Sequence, residues 1–312
     1  MSNLRVGVVG VGYLGRIHAR IYSAMSDVEL VGVADIDSLA ACAIAQECGC
    51  PFFLDAVELL GRVDAVSIVV PTSQHSDVAP EFLDRGIHML MEKPIAPTYE
   101  ESARLVELAE QAGVIFQVGH LERFNAGVCA LSERIREPRF IEAHRMSTFA
   151  ARATDVDVVT DLMIHDIDIV LSLVKSTLER ISAVGLPTLT EHVDIANARL
   201  EFANGAVANL TASRVSDRRF RRIRVFERNR YEALNFIDQQ IETVSARPTI
   251  DGGCPQIVRE NVPVEPVQPL DRELAAFVES VRTRRPPLVT GRVALQAQEV
   301  AARVHSKVQA SL

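Results

Sequence analysis

The chain has 312 residues, 48% of them hydrophobic and 24% charged, and carries a net charge of −8 at neutral pH. That length suits about two domains, each able to bury its own core. The acidic balance removes overall electrostatic support for nucleic-acid binding, and no apolar run approaches the roughly eighteen residues a membrane span needs.

The five cysteines form no CxxC pair, and Cys48-Gly-Cys50 has no histidine at a ligand interval. They read as small buried hydrophobes of a reducing compartment, with no metal site expected. No basic, apolar leader precedes the first strand, so a cytoplasmic location is expected.

The first thirty-five residues organise the chain. Val6 to Val9 reads as a buried strand and breaks into Gly10-Val-Gly12-Tyr-Leu-Gly15. A helix pattern follows, with Leu14, Ile17, Ile21 and Met25 on one face, then a second apolar run, Val28 to Ala34, ending on Asp35. Gly10 permits a tight turn, Gly12 leaves room for a pyrophosphate at the helix N-terminus near Tyr13 and Leu14, and Gly15 allows close helix packing. Asp35 stands where an acid accepts hydrogen bonds from an adenosine ribose. A carboxylate there disfavours a 2′-phosphate, and Ile36-Asp37-Ser38 supplies no arginine to neutralise one, so NAD is expected over NADP. Asp35 also qualifies as the N-cap of the next helix.

Strand and helix alternate to about residue 120: helix 37–48, strand 51–54, short helix 55–61, strand 65–70, helix 76–85, strand 87–91, helix 98–112 and strand 114–118. Such alternation predicts parallel strands with helices on both faces, a doubly wound sheet. Ligands of such sheets bind outside the carboxyl ends of the strands. Those ends carry Gly10, Asp35, Thr72 with His75, Glu92-Lys93-Pro94 and His120. Lys93 at a proline-fixed turn is a candidate for contact with a nicotinamide or a substrate hydroxyl.

After residue 121 the pattern changes. Helix 123–136, strand 139–150 and helix 156–174 are followed by strands 178–187, 192–203, 206–215, 219–228, 230–240 and a loose stretch 256–264. Asn204-Gly205 signals a type I′ hairpin, and the segments predict a large, mostly antiparallel sheet open on one face. Helices 270–284 and 291–310 close the chain. The expected domains are 1–121 and 122–312.

Asp161, His165 and Asp168 share a helix face, and a carboxylate one turn from an imidazole can fix its tautomer and raise its basicity. A polar stripe or an interface histidine remains the alternative. The arginines from Arg214 to Arg230, Arg218 among them, either form salt bridges across a dimer sheet or clamp an anionic substrate such as a nucleoside diphosphate. Arg123 and Asn125 are candidates for the same pocket.

Gly10-x-Gly12-x-x-Gly15, Pro71-Thr72-x-x-His75, Glu92-Lys93-Pro94, Gly119-His120-x-x-Arg123-Phe124-Asn125 and Asp161-x-x-x-His165-Asp-x-Asp168, in this order, resemble the Gfo/Idh/MocA oxidoreductase family along essentially the whole chain. The resemblance implies an N-terminal Rossmann domain binding NAD(P) and a C-terminal α+β domain whose open sheet binds a sugar or polyol and forms a homodimer or homotetramer. It places the last helix, 291–310, back on the first domain and maps catalysis onto Lys93, Asp161 and His165. His165, oriented by Asp161, takes the hydroxyl proton and Lys93 supports the alkoxide, or the two exchange roles. Within the family, the length and the Gly119–Asn125 stretch are similar to the UDP-N-acetylglucosamine 3-dehydrogenase branch. A free polyol or monosaccharide as substrate, and a non-enzymatic NAD sensor, are the alternatives. The approach to the Asp161 helix, Ala153 to Thr160, departs from the glycine-rich form of many members.

Overall fold

The computed structural model describes residues 3–149, 156–248 and 254–312. It divides into two units, residues 1–121 with 268–296, and residues 122–267 with 297–312.

The first unit begins with β1 (Leu4–Val9), whose Val6, Val8 and Val9 are buried as in a strand covered on both faces. It continues through α1 (Gly15–Ala24), β2 (Val28–Ala34), α2 (Ser38–Cys48), β3 (Phe52–Phe53), β4 (Ala65–Ile68), α3 (His75–Leu83), β5 (His88–Glu92), α4 (Tyr99–Gln111) and β6 (Phe116–Gly119). The expected short helix after β3 is a 3-10 turn over Ala56–Leu59. All six strands are parallel, in the order β3-β2-β1-β4-β5-β6. This is the doubly wound order whose sheet reverses direction of growth between β1 and β4. The expected apolar face of α1 needs correction. The helix buries Gly15, His18, Ala19 and Tyr22, while Leu14 is exposed and Ile21 and Met25 are only partly buried.

The second unit starts with a 3-10 turn over Leu121–Phe124 and α5 (Ala126–Arg134). The expected continuous helix 123–136 is broken there because Asn125 is extended and caps α5, accepting the Gly127 N–H at 3.0 Å. β7 (Phe140–Met146) follows, and the expected end of that strand, Ala150, lies outside the described residues. A π turn, Val159–Met163, leads into α6 (Ile164–Leu173). The strands are β8 (Leu178–Leu186), β9 (Ile195–Phe202), β10 (Val207–Ser213), β11 (Phe220–Glu227), β12 (Arg230–Asn235), β13 (Gln240–Arg247) and β14 (Gln256–Val262). Their order is β14-β13-β12-β11-β7-β10-β9-β8, and only β7 with β10 pairs in parallel.

Two strand expectations change. The expected strand 230–240 stops at Asn235, which accepts the Ile237 N–H at 3.0 Å and reaches Asp238 at 2.6 Å to close a turn, and β13 beyond that turn is a strand that was not expected. The Asn204-Gly205 hairpin is not type I′. Only Gly205 has a positive φ, 79°, and its N–H donates to Phe202 O at 2.8 Å while Phe202 N–H donates to Ala206 O at 2.9 Å. That is a three-residue loop with a bulged glycine.

α7 (Pro269–Thr283) belongs to the first unit, not to the second as the sequence suggested. Its Leu274, Phe277, Val278 and Val281 join Val6, Val8, Tyr22 and Val33 in one core. α8 (Gly291–Gln309) starts in the first unit, but its apolar face, Ala297, Val300, Ala301, Val304 and Val308, belongs to the core of the second.

Candidate active site

The strand ends of the first unit enclose a hollow of about 910 Å³, lined by Gly10, Gly12, Tyr13, Leu14, Asp35, Thr72, His75, Glu92 and Lys93 among others. Its glycine turn is shaped by sterics. Gly10 has φ +86°, and a Cβ there would lie 2.8 Å from the Val69 and Val70 backbone. A Cβ on Gly15 would lie 1.8 Å from the Gly10 carbonyl oxygen, so this glycine packs the helix against the turn itself. Gly12 faces open space, with nothing within 4 Å of a Cβ position. No side chain caps α1 and its first turn has no acid. Its positive end is therefore turned to the hollow without a resident anion.

Asp35 is half-buried and fixed, accepting the Val11 N–H at 2.7 Å and the Asp37 N–H at 2.9 Å. Asp37, not Asp35, caps α2, through Leu39 N–H and Ala40 N–H. This leaves Asp35 to tie the glycine turn to the end of β2. These features fit a dinucleotide: an open glycine for the pyrophosphate, a helix end for its charge and a preset carboxylate for a ribose.

At the far side of the hollow, Thr72 sits in a 3-10 turn leading to His75. His75 is fully buried, its Nδ1 3.2 and 3.1 Å from the Pro94 and Ile95 carbonyls and its Nε2 3.1 Å from the Val70 carbonyl. Burial pushes its pKa down. The ring borders the hollow while stapling the segment after Lys93 to the end of β4. Lys93 is half-buried and its peptide bond to Pro94 is cis. The Glu92 carboxylate lies against Gly119, where a Cβ would come within 2.8 Å of it. His120 is buried at 1% exposure.

In the second unit the π turn and α6 carry Asp161, His165 and Asp168. π turns are rare and concentrate at functional sites. Asp157 holds this one, accepting from Val159 N–H at 2.7 Å and Thr160 N–H at 2.9 Å. Asp161 and His165 are half-buried. Of the unusual approach to this helix, Ala153 to Asp155 lie outside the described residues.

Three expected substrate residues are engaged within the protein. Arg123 pairs with the buried Asp168 at 3.4 Å. Asn125 is 3% exposed and both ends of its amide are used, one on the α5 cap and one on the Phe236 carbonyl. Arg218 is exposed just before β11. Four of the eight arginines from Arg214 to Arg230 are paired inside the chain. Arg214 meets Asp194, Arg221 meets Glu122, Arg224 bonds Glu142, and Arg230 bonds Glu227.

Residue-type patterns passed over a buried ionic group beside α6. Arg145 occupies a core-facing position of β7, after Ile141 and Ala143, and makes a fork with Asp166 at 3.0 and 2.8 Å plus a bond to Glu122 at 2.7 Å. Burial alone would lower its pKa, and the two carboxylates outweigh that. Burial and then Arg145 push the neighbouring Arg221 down. The only signal in the sequence was a charge at an alternating apolar position.

Residues 4–120 match the family model described as "Oxidoreductase family, NAD-binding Rossmann fold", and residues 130–230 match "GFO/IDH/MocA C-terminal domain". The chain is similar to UDP-N-acetylglucosamine 3-dehydrogenase of Acidithiobacillus ferrooxidans, 36% identical over all of this chain and 99% of that protein. It is 30% identical to scyllo-inositol 2-dehydrogenase (NAD(+)) of Bacillus subtilis over 68% of each chain. A solved structure of the A. ferrooxidans enzyme GnnA superposes with a TM-score of 0.94 at 35% identity, covering 100% of this chain and 99% of that one. Among the described residues no His, Cys, Asp and Glu group has a metal-binding arrangement, and no helix is long and apolar enough to cross a membrane.

Proposed function

Because the chain belongs to the GFO/IDH/MocA oxidoreductase family, we propose that it is an NAD-dependent dehydrogenase that oxidises the 3-hydroxyl of UDP-N-acetylglucosamine. The observation that carries this reading is the end-to-end similarity to an enzyme of that name, together with a strand-end hollow bordered by Asp35 and Lys93. NAD is favoured over NADP because the Asp35 carboxylate, fixed by two backbone N–H groups, would repel a 2′-phosphate.

The cofactor supplies the hydride acceptor. The rest falls to this chain. The N-terminus of α1 and Gly12 receive the pyrophosphate and Asp35 the ribose. His165, one turn after Asp161, takes the proton of the sugar hydroxyl, and the Lys93 ammonium stabilises the charge developing on that oxygen. Proton transfer of this kind contributes about 10²–10⁴-fold.

Lys93→Ala and His165→Ala are expected to fold, to bind NAD and to lose turnover by about that factor. Full activity in both would overturn the assignment. Inositol dehydrogenases among the relatives favour a free polyol as the second reading. Calorimetric titration with UDP separates the two: heat and thermal protection by UDP support the nucleotide sugar, and their absence supports the polyol. We also propose a homodimer or homotetramer through the second unit's sheet, where Val184 and Leu186 of β8 are 59% and 61% exposed. A monomeric mass by light scattering would refute it.

A further inference from the structure

Behind the strand ends of the first unit lies a set of buried polar side chains that cofactor binding does not use. Glu273 of α7 is fully buried, and among the described residues neither carboxyl oxygen has a hydrogen-bond partner. Gln117 of β6 donates to the Glu273 carbonyl at 3.2 Å and leaves its own amide oxygen unpartnered. On α1, His18 is fully buried with Nε2 3.5 Å from Glu92 Oε1. Tyr22, one turn further, is bonded to Ser67 at 2.9 Å. Burial, and then the negative charge of Glu92, push the Glu273 carboxyl well above its ordinary range.

Glu92 is the member of this group that reaches the hollow, with 16% of its side chain exposed. It ends β5, and Asp35 follows β2, with β1 and β4 between them. Three strand spacings separate the two carboxylates, roughly 14 Å. A dinucleotide whose ribose is held at Asp35 directs its redox ring toward the β4–β5 side. An oxidised nicotinamide ring is a cation and a reduced one is neutral, so a carboxylate on that side discriminates between them. Gly119 leaves Glu92 its place.

We propose that Glu92, held between Gly119 and His18, sets the preference of this hollow for the oxidised over the reduced cofactor. The proposal rests on the NAD-binding reading above. It makes Glu92 a specificity-determining residue and His18 and Gly119 positioning residues.

The test is the ratio of dissociation constants for NADH and NAD⁺, measured by calorimetry on the full chain. Glu92→Gln is expected to shift that ratio toward NADH by about tenfold, which is 1.4 kcal/mol. Glu92→Asp, which restores the charge, is expected to recover most of the wild-type preference. Gly119→Ala pushes the carboxylate aside without changing the charge, and provides a second route to the same shift should Glu92→Gln not fold. Glu273→Gln, which leaves the Glu92 carboxylate in place at the hollow, is expected to keep the ratio within twofold of wild type. A purely structural role for these residues would weaken both cofactors equally. Folded Glu92→Gln or Gly119→Ala protein binding both cofactors with the wild-type ratio overturns the proposal. Wild-type protein that binds neither cofactor sinks the NAD reading and this proposal with it.

Discussion

His88 accepts the Ile115 N–H at its Nδ1, 2.9 Å away, which it does only as the uncharged ring. Burial, reinforced by the Arg284 charge, pushes its pKa down from 6.5 to about 4. Between those values the unfolded chain binds a proton that the folded chain refuses. Stability from this group is therefore complete above pH 6.5 and lost as the pH falls toward 4, by roughly 3 kcal/mol in all. The denaturant midpoint of the wild type is expected to drop across that window. His88→Gln, whose amide oxygen still accepts from Ile115, is expected to show a flatter profile, and an equally steep one would clear His88. Polar residues of this kind were hard to read from the sequence. The glycine turn, Asp35 and the turn at Lys93 were legible because their chemistry is local. His18, Arg145 and Glu273 were not, because each occupies a position that periodicity assigns to the core.

At the scale of elements, the helix carrying His165 is one case where local rules were not enough. A uniform helix from 156 to 174 was expected, and the chain instead makes a π turn over Val159–Met163 before α6. Asp157 sets this turn through its bonds to Val159 and Thr160, and its carboxylate also meets His305 Nδ1 at 3.0 Å. Asp157→Ala is expected to cost about 1–2 kcal/mol of stability, as loss of a cap does. It should also lower turnover while leaving NAD binding intact, read by calorimetry beside steady-state rates. A variant with normal turnover would show that the turn does not position His165. Most strands of the second unit were legible as alternation, and β13 was not. Their breaks were less so, since the turn at Asn235 and the bulge at Gly205 depend on side-chain hydrogen bonds and backbone handedness, not on apolar content.

At the scale of the whole molecule, the parallel order of the first sheet followed from strand–helix alternation. The return of α7 did not, because an amphipathic helix does not announce which apolar surface it covers. Phe277 is fully buried there, in a core shared with β1 and α1. Phe277→Ala is expected to destabilise the protein by about 3–5 kcal/mol. A denaturation shift equivalent to less than about 1 kcal/mol would mean that α7 is dispensable to that core.

The same return orders events on the ribosome. Residues 1–121 emerge long before Gln268, with the second unit's 122–267 in between. At about 5–20 residues per second, the nascent sheet waits on the order of ten seconds for the helix that completes its core. Throughout that interval the surface around Val6, Tyr22 and Val33 lacks the apolar cover that α7 gives it.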